Sequence, residues 1–292
     1  MKYITTNKIL IVISCILIIL CIYWLFISTD INNKVTICVK TIYRSKAISK
    51  FVSDTRRILP YVTIIIADDS DDDYKIKNQK SIQNASPNDP NIIYIPLPYD
   101  SGLSKGRNEC VKKVKTLYTI ITDDTRTINH ADSVYKLVDY LDKNREYDII
   151  TGFIPERGDI DKAYTNIFKY IKINDILVSS KKEILNLIDN LNNKIEIKKN
   201  NINEMNNNGY YKTDIGINSF IARTNILSKY PWNDNLKMQE HSYFFLILWC
   251  NNINILYDKN FIFNQLGDQY RTYDKNGNSL RNRIIDLKLK YI

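Results

Sequence analysis

The chain has 292 residues, of which 44% are hydrophobic, and 41 basic against 32 acidic residues leave a net charge of +9. That length and apolar fraction supply one sizeable core or two small ones. The lysines are spread along the chain without a basic stripe or a recognisable module, which argues against nucleic acid as a partner and leaves anionic membrane surfaces or acidic ligands. Of five cysteines, two lie in the apolar N-terminus; Cys38, Cys110 and Cys250 sit in apolar runs and read as small core hydrophobes rather than a disulfide framework.

Residues 9–27 carry no charge over 19 positions, enough at 1.5 Å per residue to cover about 28 Å of a hydrocarbon core of roughly 30 Å. Lys2 and Lys8 precede the run and Asp30 follows it. No small-residue cleavage pattern comes after it, so an uncleaved transmembrane anchor is expected, with residues 1–8 as a cytosolic tail and 28–34 as a short stem. Val35 to Val39 reads as a strand and Ser45 to Leu59 as a helix ended by Pro60. Tyr61 to Ala67 is a second, nearly all-apolar strand, running directly into Asp68 and Asp69. Residues 71–90 are polar and predict an exposed loop, with an Asn84-Ala-Ser86 glycosylation acceptor that matters only in a luminal setting. A third strand over Asn91 to Leu97, a helix from Gly102 to about Lys115, a fourth strand over Leu117 to Thr122, a helix over 131–143 and a strand from Asp148 to Phe153 complete a βαβα series. That order predicts a parallel sheet with crossover helices. Residues 172–209, rich in Asn, Lys and Ile with local helical spacing, predict an inserted helical or mobile excursion. The pattern resumes with a strand at Ile215 to Ala222, a helix at Gln239 to Cys250 and a strand at Ile253 to Tyr257; 268–292 reads as a polar tail.

Two of the strands end in paired acids, Asp68-Asp69 and Asp123-Asp124. Ligands of open α/β sheets bind beyond the carboxyl ends of strands, and carboxylates there need a cationic or hydrogen-bonding partner. Between them, Gly102-Leu-Ser-Lys-Gly-Arg-Asn108 opens a helix whose N-terminus favours phosphate, with glycines that permit close approach. Taken singly, each acid pair also reads as a solvated turn and the glycine run as an ordinary helix start.

The runs VTICVKT, YVTIIIADDS, YDSGLSKGRNEC, TDDT, TDIGINSFIART and WNDNLKMQEHSYFF resemble the β-1,4-N-acetylgalactosaminyltransferases that build ganglioside-type glycans. The wider likeness is to inverting, family-2-like glycosyltransferases of GT-A fold. It covers about residues 35–265, apart from 172–209. The resemblance implies a Rossmann-like α/β domain over 35–267, with a mixed, mainly parallel sheet and flanking helices, behind an N-terminal transmembrane helix. It also implies a single-pass type II membrane protein facing the Golgi lumen, with a UDP-sugar donor (UDP-GalNAc above all) and a glycan or glycolipid acceptor. By the same resemblance, Thr41 and Arg44 lie near the nucleotide, and Asp68 and Asp69 contact uracil and ribose. Gly102, Arg107 and Asn108 stand near ribose and diphosphate. Asp123 and Asp124 meet the donor sugar and a Mn or Mg ion, Glu240 is the catalytic base, and Trp232 and His241 line the acceptor or donor pocket. On the residues alone, Glu240 equally reads as a helix-N-terminal acid and His241 as a structural histidine.

Two departures bear on the metal. Thr125 stands where the family has the third acid, and Asn264-Gln265 stand where it usually has a histidine. A hydroxyl and amides are poorer ligands for Mn or Mg than carboxylate and imidazole. Three outcomes stay open: a metal held by Asp123 or Asp124 with water and diphosphate, neutralisation by Lys and Arg side chains, or a carbohydrate- or nucleotide-binding pseudo-transferase without turnover.

Overall fold

The computed structural model describes residues 11–14, 16, 31–155, 166–190, 192–202, 205–236, 240–267 and 289–291. In chain order the elements are β1 (Val35–Thr41), α1 (Ser45–Ile58), β2 (Thr63–Asp68), α2 (Asp72–Ala85), β3 (Ile92–Pro96), α3 (Gly102–Val111), β4 (Tyr118–Asp123), β5 (Arg126–Ile128), α4 (Ala131–Lys143), β6 (Ile149–Phe153), β7 (Asn166–Ile173), β8 (Ile176–Val178), α5 (Lys181–Ile188), β9 (Ile195–Asn201), β10 (Tyr211–Thr213), β11 (Phe220–Arg223), α6 (Thr224–Lys229), α7 (Glu240–Cys250), β12 (Ile255–Gln265) and β13 (Leu289–Tyr291).

Among the described residues the main sheet has nine strands in the order β10-β12-β6-β11-β4-β1-β2-β3, with β5 paired to β12. The run β4-β1-β2-β3 is parallel throughout. β11 enters antiparallel between β4 and β6 and makes the sheet mixed. Strand order reverses between β1 and β4. Their carboxyl ends, where neighbouring crossovers leave in opposite directions, flank the crevice in which open α/β sheets bind ligands.

β1, β2 and β4 are buried on both faces, and their side chains alternate between two cores. Ile37, Val39, Ile64, Ile66 and Ile120 point into one, with Ile48, Phe51 and Val52 of α1 and Leu137 and Leu141 of α4. Cys38, Ile65, Ala67 and Ile121 point into the other, with Cys110 of α3 and Phe244, Phe245 and Leu248 of α7. Cys38, Cys110 and Cys250 are free and buried, as a core-hydrophobe role requires. Burial pushes the Cys38 thiol well above its ordinary value.

Two sequence expectations change. Residues 71–90 are not a loop: Asp71 accepts a hydrogen bond from the Tyr74 amide and caps α2, with Asp72 and Asp73 in its first turn. A run of acids that reads as loop is here a helix start, favoured by capping and the macrodipole. Residues 172–209 are not a helical excursion. β7, β8 and β9 form a second sheet with β13, and α5 is the only helix in that stretch among the described residues. Ile171, Ile173, Ile184, Ile195 and Ile197 join the same core as α7. Their alternating isoleucines have the strand period, which the helical spacing of 184–191 obscured.

The expected anchor at 9–27 lies outside the described residues except for 11–14 and 16, which are helical. No helix among the described residues is long and apolar enough to cross a membrane. Most of the 268–292 tail likewise lies outside them.

Candidate active site

β1 places Lys40 opposite Asp123 and Thr41 opposite Asp68, so the two acid-tipped strands reach the same sheet edge with one strand between them. Asp124, 1% exposed, accepts from Thr41 Oγ1 at 2.7 Å and from Arg44 Nη1 at 2.6 Å. A carboxylate this deep is stable only when paired and hydrogen-bonded, and the last residue of β1 and the loop after it supply both partners. In return, the charge of Asp124 holds the Arg44 guanidinium above its usual value.

From α3, Arg107 crosses the same hollow. Its side chain is 3% exposed; Nη1 donates to Glu240 Oε1 at 2.7 Å and Nη2 meets Asp123 Oδ1 at 3.4 Å. Asn218 Nδ2 donates to the same Glu240 oxygen at 3.4 Å. Both donors land on Oε1. Glu240 is the first residue of α7, where the helix N-terminus favours a negative side chain. Next to it, burial pushes the His241 imidazole below its ordinary value, with Glu240 opposing and the Arg107 charge reinforcing that shift. Thr41, Arg44, Arg107, Asp123, Asp124, Glu240 and His241 thus belong to one neighbourhood.

Five expected donor or pocket residues have partners within the fold. Asp68 is fully buried and accepts from the Ser70 amide, Asn78 Nδ2 and Tyr94 Oη. Asp69 is fully buried, ion-paired to Lys40 at 2.5 Å, and accepts from the Gly102 amide at 2.9 Å. That amide therefore faces Asp69, and the positive φ of 90° that lets Gly102 turn the chain into α3 suits glycine. Asn108 exchanges hydrogen bonds with the backbone of Trp232 and donates to Asp234 Oδ1 at 2.6 Å, tying α3 to the 231–236 loop. Trp232 is 2% exposed and stacks on Phe244 with ring centroids 4.3 Å apart. It belongs to the core beneath the site, with the Arg107 guanidinium 5.7 Å above its ring.

Sequence reasoning missed Lys40, Arg126 and Asn218, and it weighed Gln265 only as a metal-ligand position. Arg126 lies 3.0 Å from Asp123 Oδ2 and donates to Gln265 Oε1, Ser219 Oγ and the Asn218 carbonyl. Lys40 announced itself as a cation in an otherwise apolar strand, and Arg126 as the cation three residues past Asp123. The glycine at 106 is the counterpart of Lys40: a Cβ there would strike Lys40 Cγ.

The residues present do not fit a divalent metal. All four carboxylate oxygens of Asp123 and Asp124 already face Thr41 or an arginine. Among the described residues no three His, Cys, Asp or Glu side chains converge in a way that could hold an ion. Thr125 turns its carbonyl to Gln265 Nε2 and the Leu266 amide. Asn264 Nδ2 bonds Asn129.

The comparisons agree with this architecture. The model of the family described as Glycosyl transferase family 2 matches residues 36–213. Beta-1,4 N-acetylgalactosaminyltransferase 1 of Mus musculus is 31% identical over 138 residues, which are 47% of this chain and 24% of that protein. Beta-1,4 N-acetylgalactosaminyltransferase 2 of Mus musculus is 31% identical over 124 residues, 42% of this chain and 22% of that protein. The chain thus spans about a quarter of the length of the curated relatives it matches. Among solved structures, that of GalNAc-T7 with UDP, GalNAc and Mn2+ is similar with a TM-score of 0.57 and 11% identity, over 80% of this chain and 44% of that one. Such a likeness shows the fold, a mixed α/β sheet of GT-A type. Because the family model spans more than half of its residues, this chain belongs to glycosyl transferase family 2.

Proposed function

We propose that the chain transfers a sugar, GalNAc or another N-acetylhexosamine, from a UDP donor to a glycan acceptor by a single inverting displacement. The observation that carries this reading is the bridge of Arg107 between Glu240 and Asp123, beside the strand-order reversal. It holds the nearly buried Glu240 carboxylate beside the acid tip of β4, next to which a donor would lie. Glu240 would take the acceptor hydroxyl proton on Oε2 as that oxygen attacks the anomeric carbon from the side opposite UDP. Arg107 and Asn218, both on Oε1, would fix the orientation of the carboxylate. Asp123 would position the donor sugar, and Thr41 and Arg44 would lie beside the nucleotide. The relatives' names support N-acetylgalactosamine as the transferred sugar.

The uncharged run 9–27 with lysines on its N-terminal side supports a type II membrane anchor, and with it a luminal, Golgi-type location for the catalytic domain. The test is a panel of UDP-, GDP- and CMP-sugars offered to the protein with simple glycoside acceptors. Transfer from a UDP-N-acetylhexosamine is expected. Transfer from another nucleotide class alone, or from none, contradicts the reading.

A further inference from the structure

Resting on the UDP-donor reading above, we infer that guanidinium groups, with no divalent ion, carry the positive charge that meets the donor diphosphate. Arg126 and Arg44 are the two that face it.

The charge count at the crevice supports this. Asp123, Asp124 and Glu240 are each in contact with an arginine, and the arginines are also three: Arg44, Arg107 and Arg126. The deeper pair Lys40–Asp69 is likewise balanced. A metal site draws its cation with carboxylates left uncompensated. Here the three described carboxylates are matched by three guanidinium groups. A dication touching Asp123 Oδ2 would also stand within a few ångströms of the guanidinium that is 3.0 Å from that oxygen, and like charges repel strongly in a partly dry site.

Arg126 is held in place as a fixed cation. Its side chain is 7% exposed and gripped by Asp123, Ser219 Oγ, the Asn218 carbonyl and Gln265 Oε1. Gln265 is its cross-strand partner in the β5–β12 pair. The neutral amide at Gln265 tolerates that guanidinium, whereas a metal-binding imidazole there would compete with it. Arg44 is 30% exposed at the neighbouring tip, anchored through Nη1 to Asp124. Planar guanidinium groups suit phosphate oxygens. In the transfer step the bond between the anomeric carbon and the β-phosphate oxygen breaks and its electron pair stays on that oxygen. Arg126 and Arg44 would neutralise the charge so gained.

Calorimetric titration of UDP into the full chain tests this, in EDTA and in millimolar Mn2+, for the wild type, Arg126→Gln and Arg44→Gln. The inference expects wild-type affinities in the two buffers to agree within about twofold. It expects Arg126→Gln to bind at least tenfold more weakly in EDTA and to recover part of the loss in Mn2+, because Asp123 Oδ2 then lacks its guanidinium partner. If Arg126→Gln does not fold, the more exposed Arg44→Gln carries the same expectation of weaker binding in EDTA. Wild-type binding that weakens tenfold in EDTA overturns the inference while leaving the donor reading intact. So does wild-type-like affinity in both variants. A wild type that binds no UDP in either buffer overturns the donor reading itself, and the inference with it.

Discussion

Arg107 and Glu240 lie 133 positions apart in sequence and meet at 2.7 Å in a site that nearly excludes solvent. One stands on α3 and the other at the start of α7, so this pair joins the first βαβ half of the fold to the late helix. Breaking a buried pair by removing one partner leaves the other charge uncompensated, which costs about 3–5 kcal/mol. Arg107→Ala should therefore lower stability by roughly that amount in urea unfolding. Arg107→Lys, which keeps the charge but not the fork to Asp123, should fall between it and the wild type.

Lys40 fills the space that Gly106 leaves open. Gly106→Ala would gain about 1 kcal/mol of helix propensity. The added methyl meets the middle of a side chain whose far end is fixed by Asp69, and overpacking of that kind costs about 1–3 kcal/mol. The clash wins, and thermal unfolding should show a net loss of roughly 1 kcal/mol.

For Asp68 the expected outcome is structural. Three internal donors converge on its carboxylate. Asp68→Ala should cost about 3 kcal/mol by leaving them without an acceptor. The affinity for UDP of the fraction that stays folded should remain within twofold of the wild type, which calorimetry below the unfolding temperature can read.

The pH dependence should include a contribution from Asp214, whose carboxylate accepts from the Phe168 amide where β7 meets the main fold. Burial raises its folded-state value above the ordinary carboxylate range, and the Phe168 N–H opposes that shift. A raised folded value means that the native state holds the proton more tightly than the unfolded chain. The stability from this group is present below the unfolded value of about 3.9 and is lost as pH rises through the higher folded value. Asp214→Asn keeps an acceptor for Phe168 and removes the charge. It should be more stable than the wild type at pH 7, and the gap should close below about pH 4; denaturant melts at both pH values check this.

Much of the sheet was legible because its central strands are buried on both faces. Runs such as Thr63–Asp68 are continuous apolar stretches that end in acids, and both the strand and its acidic tip show in one line of sequence. That both acid pairs reach one sheet edge followed from the strand ends they occupy. What stayed hidden depends on long-range partners. Asp68, Asp69, Gly102 and Asn108 have residue types suited to binding a nucleotide, yet fold-internal donors and acceptors occupy them. Residue type cannot reveal whether an acid's partner is a ligand or Tyr94. The second sheet was missed because Ile195–Asn201 pairs with β7 rather than with a sequence neighbour across a tight turn. Arg126 gained meaning only when β12 brought Gln265 beside it.

The claim on which the rest depends is that Glu240 takes a proton at a UDP-sugar site. Parallel measurement of sugar transfer and UDP affinity in Glu240→Gln tests it most directly, since glutamine keeps the shape and an acceptor for Arg107 but is not a base. Transfer should fall by about 10²–10⁴-fold with UDP affinity within a few-fold of the wild type. Undiminished transfer, or UDP affinity lost in step with transfer, would contradict it.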